Sequence, residues 1–388
     1  MAQAAESEVA LSRPAAATAA AIDVEVHSGF ESLPEPLAQF FAAAGAANFF
    51  QSIPWYRTML RTAGPEGDKP RIYAATRGGR PLAALVARER KHAGKLKTHM
   101  LLAPSRGANA SLFAPLVATE DGRAGLFAIA AAIARSSPPF HVLRFDCLDP
   151  SAPEFAVFAA AFRAAHMPVQ AFFNFHNYYD DVSGQDLGQY LAHRPPELKQ
   201  DVERAARLLA RGDRARFAVI DGGPELEAAL IDYALVDLQS WKEPEFYADC
   251  TPELIRAAAA AGALRLGLLH LDGALAAAQI WLVAGGRATI WRHHYAQKFA
   301  KHRPGAALTF AMFRHALASG DLREIDFGPG DEPFKGLWLS RRRERAGLIA
   351  FNPRTAKGLA AAARHFGGRA GAVLAPTLRA AIGRWSKD

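Results

Sequence analysis

Apolar residues recur along this chain in two rhythms, and the order in which the rhythms alternate is repeated. In the first half, Asn48-Phe-Phe-Gln-Ser-Ile-Pro-Trp55 leads into a helix through Leu60. Two largely apolar runs follow, Arg71–Thr76 and Pro81–Ala87, on either side of Arg77-Gly-Gly-Arg80. A glycine pair between two strand-like runs predicts a β-hairpin. In the second half, a helix from about Pro224 to Trp241 sets Leu226, Leu230, Tyr233 and Val236 near one face. After a second helix, Leu264–His270 and Ala274–Trp281 flank Leu271-Asp-Gly273, which predicts a second hairpin. Identity between the two stretches is weak but their order is the same, so the chain reads as a duplicated αβ unit.

The second half runs on through a third strand, Arg287–Tyr295, and a loop from Ala296 to Pro304. From Gly305, the residues Ala306, Phe310, Phe313 and Leu317 keep helical spacing until Ser319-Gly320. Leu322–Asp326 reads as a short strand, Phe327–Phe334 as a loop and Arg345–Phe351 as a closing strand. Between the halves, Arg194-Pro-Pro196 opens a charged helix, Glu197–Arg211, that bridges the boundary.

A length of 388 residues suits two domains of ordinary size. The divisions expected are a disordered leader over 1–22, an α/β domain over 23–180, a second over 181–352 and a basic helical tail over 353–388. The leader lacks the basic start and apolar run of a secretory signal. No uninterrupted apolar stretch is long enough to span a bilayer. Cys147 and Cys250 have no CxxC partner, which argues against a disulfide framework and fits a reducing, cytoplasmic location. Charge matters only at the end of the chain. Of the formal net charge of +8, an excess of +10 lies between Lys335 and Asp388. That patch suits an anionic membrane surface, including peripheral contact with the inner membrane, or a polyanion.

Candidate chemistry gathers in two segments. The first is the strand, loop and helix around Arg303-Pro304-Gly305. A helix start offers free N–H groups and partial positive charge to a phosphate, with Lys298, Lys301 and Arg303 adding charge at the mouth. The second is Asp326-Phe-Gly-Pro-Gly-Asp-Glu332-Pro-Phe-Lys335-Gly-Leu-Trp338, a carboxylate at a strand end followed by a glycine-rich loop and a lysine. The histidines lack metal-ligand spacing, and no metal is expected. No GxSxG elbow or Walker loop occurs.

Taken in order, Trp241-Lys242, the Asp-Gly hairpin, the Pro-Gly helix start and the segment from Asp326 to Trp338 resemble the FemAB-like branch of the GNAT superfamily. They look in particular like the acetyltransferase domain found beside bacterial cellulose and exopolysaccharide biosynthesis genes. The resemblance is specific from about Tyr190 to Phe351 and looser over Phe49–Val117. It implies tandem GNAT-like domains of α/β (α+β) class, each a mixed twisted sheet flanked by helices, and acyl-CoA (acetyl-CoA or longer) as co-substrate. The acceptor implied is an amine, such as an amino sugar or an exopolysaccharide precursor. Carried over by motif, Arg303, Gly305, Ala306 and Lys301 hold the donor's phosphates. Asp326, Lys335 and Glu332 line the acceptor side, and Trp241 and Lys242 lie near the domain junction. His293-His294-Tyr295 stands where relatives often carry a small residue, tyrosine and aspartate, so the proton-transfer group differs here.

Acyl transfer to an amine needs a base, a donor to the developing oxyanion and an acid for the thiolate. His294 suits the base, with Asp326 or Glu332 as substitutes should burial raise a pKa, and Tyr295 suits the acid. Strand alternation places His294 and Tyr295 on opposite faces. Two other readings fit the residues: an aminoacyl-tRNA-dependent transferase, favoured by the basic tail and Lys335, and a non-catalytic protein whose tail docks a membrane or a synthase.

Overall fold

The computed structural model describes residues 21–105, 110–212, 214–240 and 249–367. Trp241, Lys242, most of the leader and the final stretch of the tail therefore lie outside the described residues.

The two predicted hairpins form, and for the predicted reason. Strands β2 (Lys69–Arg77) and β3 (Arg80–Ala93) meet at Gly78 and Gly79, with φ of 56° and 78°. Strands β9 (Leu264–Leu271) and β10 (Ala274–Ala284) meet at Asp272 and Gly273, with φ of 49° and 80°. Two consecutive left-handed residues make the tight turn whose twist matches paired strands, and the close pairings Arg77↔Arg80 and Leu271↔Ala274 follow from it.

The remaining strands are β1 (Ile22–His27), β4 (Thr98–Leu102), β5 (Leu116–Val117), β6 (Val142–Leu148), β7 (Val169–Asp181), β8 (Ala215–Ile220), β11 (Arg287–Tyr295), β12 (Glu324–Pro329) and β13 (Arg341–Phe351). Apart from β5, which pairs β3, they form one continuous sheet in the order β1-β2-β3-β4-β6-β13-β7-β12-β11-β10-β9-β8. Read inward from either edge, the two halves repeat each other. β1-β2-β3-β4 and β8-β9-β10-β11 are antiparallel, and each set then meets a parallel neighbour, β6 beside β4 and β12 beside β11. The last strand of each half crosses over: β7 pairs β12 of the second half, and β13 pairs β6 of the first. This is the α/β, tandem GNAT-like class expected, with the halves fused by an exchange that local sequence does not encode.

Helices cover both faces. In the first half these are α1 (Glu35–Ala47), α2 (Ile53–Thr62), α3 (Gly122–Ala134) and α4 (Pro153–Ala164). The bridge supplies α5 (Leu187–Ala192) and α6 (Pro196–Leu209). The second half has α7 (Leu226–Leu238), α8 (Cys250–Ala260), α9 (Pro304–Ala318) and α10 (Pro333–Trp338), and residues 356–367 are helical at the end of the described chain. Helix α2 packs on α8. Trp55 meets Trp291 edge to face at 6.4 Å, both buried, so two of the sequence's tryptophans close the core between the halves. Helix α9 lies close on β9 because Gly267 leaves room for Met312; a Cβ there would stand 2.3 Å from the Met312 sulfur. Among the described residues no helix is long and apolar enough to cross a membrane, and no group of three or more His, Cys, Asp or Glu could hold a metal ion.

Two local readings change. The stretch expected as loop from Phe327 to Phe334 continues β12 through Pro329, and α10 forms from Pro333. The closing strand begins at Arg341, because Arg343 and Arg345 find partners inside the molecule.

Candidate functional site

Strands β11 and β12 pair in parallel only from Arg287↔Glu324 to Thr289↔Asp326. Beyond that point no β11–β12 pairing continues, and the end of β11 is left beside the start of α9. A cavity of about 420 Å³ opens there. Its walls include His293 and Tyr295 from β11, Arg303, Gly305 and Ala306 at the start of α9, and Phe334 and Trp338 from α10.

The first turn of α9 is held in place by a buried polar chain. Trp281 Nε1 donates to Gln279 Oε1 (3.0 Å), Gln279 Nε2 donates to Thr309 Oγ1 (2.6 Å), and Thr309 Oγ1 donates to the Gly305 carbonyl (2.9 Å). The helix start is thus fixed to β10 while the N–H groups of Gly305 and Ala306 have no partner among the described residues. Free N–H groups at a rigid helix start are an anion site of the kind expected from the sequence. Gly305 keeps the approach open: a Cβ there would meet only the Tyr295 ring, at 3.4 Å. Arg303 precedes the helix in the left-handed region, φ 52° and ψ 49°, and its side chain pairs with Asp201 of α6.

The far wall comes from α10. Its carboxyl end is pinned where Arg194, itself paired with Asp180 at 2.7 Å, donates to the Trp338 carbonyl at 2.7 Å. The Trp338 ring packs on Phe313 of α9 at 4.6 Å, and Phe334 meets His293 edge to face at 5.2 Å.

Of the residues singled out in the sequence, Tyr295, Arg303, Gly305 and Ala306 come together around this cavity. Lys301 lies next to it, on a second depression of about 250 Å³ that shares Asp201, Arg303 and Ala306 with the first. His294 does not face the cavity. Alternation along β11 turns it to the opposite side of the sheet, where it is buried beside Tyr233 of α7 with Nδ1 2.7 Å from Asp237 Oδ1. His293, which was passed over, takes the cavity-facing position.

Asp326 departs from its expected role. It is buried and saturated: Asn177 Nδ2 (2.6 Å) and the Gly328 N–H (2.5 Å) donate to Oδ1, and Arg343 pairs with Oδ2. Burial alone would push its carboxyl up, but Arg343, Arg345 and those two hydrogen bonds outweigh it and hold the group below the usual carboxylate range. An anion with its lone pairs occupied and its pKa depressed is a poor base. Lys335 departs likewise, since it is buried and folds back on its own loop, donating to the Pro329 carbonyl at 2.7 Å and pairing with Glu332 at 2.8 Å. Together they brace the glycine-rich loop that carries α10.

Residues 196–336 match the acetyltransferase (GNAT) domain family. No curated protein matches the sequence. Among solved structures, the chain is similar to FemX, with 12% identity, 84% of this chain and 98% of that one covered and a TM-score of 0.60. It is also similar to a conserved protein of unknown function from Bacteroides thetaiotaomicron, with 8% identity, 85% and 100% coverage and a TM-score of 0.52. A third likeness is to L-PGS from Bacillus licheniformis, with 14% identity, 88% and 98% coverage and a TM-score of 0.50. At these identities the likeness to solved structures is one of fold.

Proposed function

Residues 196–336 form an acyltransferase domain of the GNAT type, and from that premise we propose that the chain moves an acyl group from acyl-CoA to an amine in a ternary complex. The observation that carries the reading is the fixed α9 start, with the N–H groups of Gly305 and Ala306 unpartnered among the described residues beside Arg303 at the mouth of the 420 Å³ cavity. A diphosphate at the helix start leaves the cavity itself for the pantetheine arm and the acyl group, which suits the apolar wall of Phe334, Leu337 and Trp338.

In the step proposed, the amine nitrogen bonds to the thioester carbonyl carbon, the carbon–sulfur bond breaks, and the thiolate leaves with a proton. Tyr295, in the cavity wall, supplies that proton. The amine's proton goes to His293, which stands with Tyr295 in the same cavity wall. Strand alternation puts both groups on one face of β11, where that strand has parted from β12. An amino sugar or a polysaccharide precursor is the acceptor class put forward. His293→Asn is expected to lower kcat at least a hundredfold while leaving the dissociation constant for acyl-CoA unchanged. An unchanged kcat removes His293 from the mechanism.

One observation favours aminoacyl-tRNA as donor instead: the 250 Å³ depression beside the cavity is lined by Arg204, Arg207, Arg211, Lys301 and Arg303. Isothermal titration with acetyl-CoA, longer acyl-CoAs and total tRNA separates the two. Saturable binding of a CoA species supports the first reading. Binding of tRNA alone, with a steep salt dependence, supports the second.

A further inference from the structure

The bridge helix α6 was read from the sequence as a connector between the halves, but it packs along α9 and forms one wall of the second depression. Arg204 and Arg207 lie one turn apart on it, and Arg211 follows just beyond its end; all three line the depression. Lys301 and His302, from a 3-10 turn before α9, line the same depression. Against the arginines and Lys301, the described wall of the depression contributes a single carboxylate, Asp201. Asp201 is already committed to Arg303 and, at 3.4 Å, to Arg204, while Arg207 reaches Glu203 only at 3.8 Å. No hydrogen bond or ion pair of Arg211, Lys301 or His302 side chains occurs among the described residues. So dense a set of like charges is unfavourable in isolation and becomes favourable when a compact anion fills it.

The depression is continuous with the donor cavity through Asp201, Arg303 and Ala306, and it extends from the first turn of α9 across to α6. Resting on the acyl-CoA reading above, we propose that it is a second phosphate site, taking a phosphomonoester on the nucleotide end of the donor. The diphosphate then sits on the N–H groups of α9, and the terminal phosphate is clasped by Arg204 and Arg207 of α6 and by Arg211 just after it. A dianionic monoester matches guanidinium forks better than a bridging diester does. Selection of the donor thus depends on a helix outside the sheet-and-helix unit that holds the acyl group.

The test is calorimetric binding of CoA and of dephospho-CoA, which differ by that one phosphate, to the full chain and to the double variant Arg207→Gln/Arg211→Gln. Both positions are exposed, and an unchanged melting temperature certifies the variant's fold. The wild type is expected to bind CoA roughly tenfold more tightly than dephospho-CoA, and the double variant to bind both alike. Arg303→Gln is expected to weaken both ligands together. Equal affinity of the wild type for the two ligands, or discrimination that survives in the double variant, overturns the second site and leaves the acyl-CoA reading standing. Failure to bind either ligand overturns the acyl-CoA reading itself. Binding of tRNA that the double variant loses, without discrimination between the CoA species, assigns the depression to a different anion and overturns the proposal.

Discussion

The two halves each place a helix after the parallel strand crossing begins, α3 in the first and α9 in the second, and each helix is entered through a residue in the left-handed region. That residue is Asp121 (φ 57°) before α3 and Arg303 (φ 52°) before α9. The same backbone device therefore carries opposite charge. At α3 the acid supplies the negative charge that a helix start attracts, and it is tied to the hairpin turn, Asp121 to Arg77 and Glu120 to Arg80 at 3.0 Å. The first residue of α3, Gly122, is closed in as well: a Cβ there would stand 2.5 Å from the Val117 side chain of β5. At α9 the first turn is left more open: a Cβ on Gly305 would meet the Tyr295 ring only at 3.4 Å, and the glycine looks into a cavity. One fold unit has thus been filled and neutralised at the place where its copy is open and basic. The lesson is that the fold supplies the helix start, and the residues around it decide whether an anion can enter.

Breaking that contrast in the second half is expected to have the largest effect. Gly305→Leu fills the approach beside Tyr295, and Arg303→Ala removes the charge; together they should weaken acyl-CoA binding by about a hundredfold, read by calorimetry. The next effect is on stability. Asp326→Asn leaves Arg343 buried with one of its carboxylates gone and is expected to destabilise the fold by roughly 3 kcal/mol, read by denaturant melts, with donor affinity in the folded fraction unchanged. The pH dependence has a definite sign. Because the folded-state pKa of Asp326 is depressed, its contribution is complete above the unfolded value of about 3.9 and is lost as pH falls through the folded value. The wild type should therefore hold its stability advantage over Asp326→Asn at neutral pH and lose it on acidification. A smaller effect is expected from Thr309→Val, which cuts the link from Gln279 to the Gly305 carbonyl. It should cost about 1 kcal/mol in thermal stability, together with a modest loss of donor affinity. The smallest belongs to the first half: Asp121→Ala breaks an exposed ion pair and should change stability by less than about 1 kcal/mol, with no change in acyl-CoA binding.

What was legible in the sequence was local. The glycine turns announced the hairpins, the Pro-Gly start announced α9, and strand alternation already separated His294 from Tyr295. Contacts between distant residues were not legible. Asp326 reads as a carboxylate poised over a loop until Asn177 of β7 and Arg343 of β13 arrive beside it, and they arrive only because the last strands of the two halves are exchanged. Alternation also places His293 and Tyr295 on one face, so that signal was present and unused. Helix α10 is six residues inside a segment rich in proline and glycine, too short for periodicity to show. The charged helix that became α6 read only as a bridge between the halves, because nothing in the sequence says that it lies along α9.

The most direct test of the account is the stoichiometry of acyl-CoA binding. Calorimetric titration of the full chain is predicted to give one site per chain, abolished in Gly305→Leu/Arg303→Ala and untouched in Asp121→Ala. Two sites per chain, or one that survives in the first variant and is lost in the second, would contradict the division of labour between the halves.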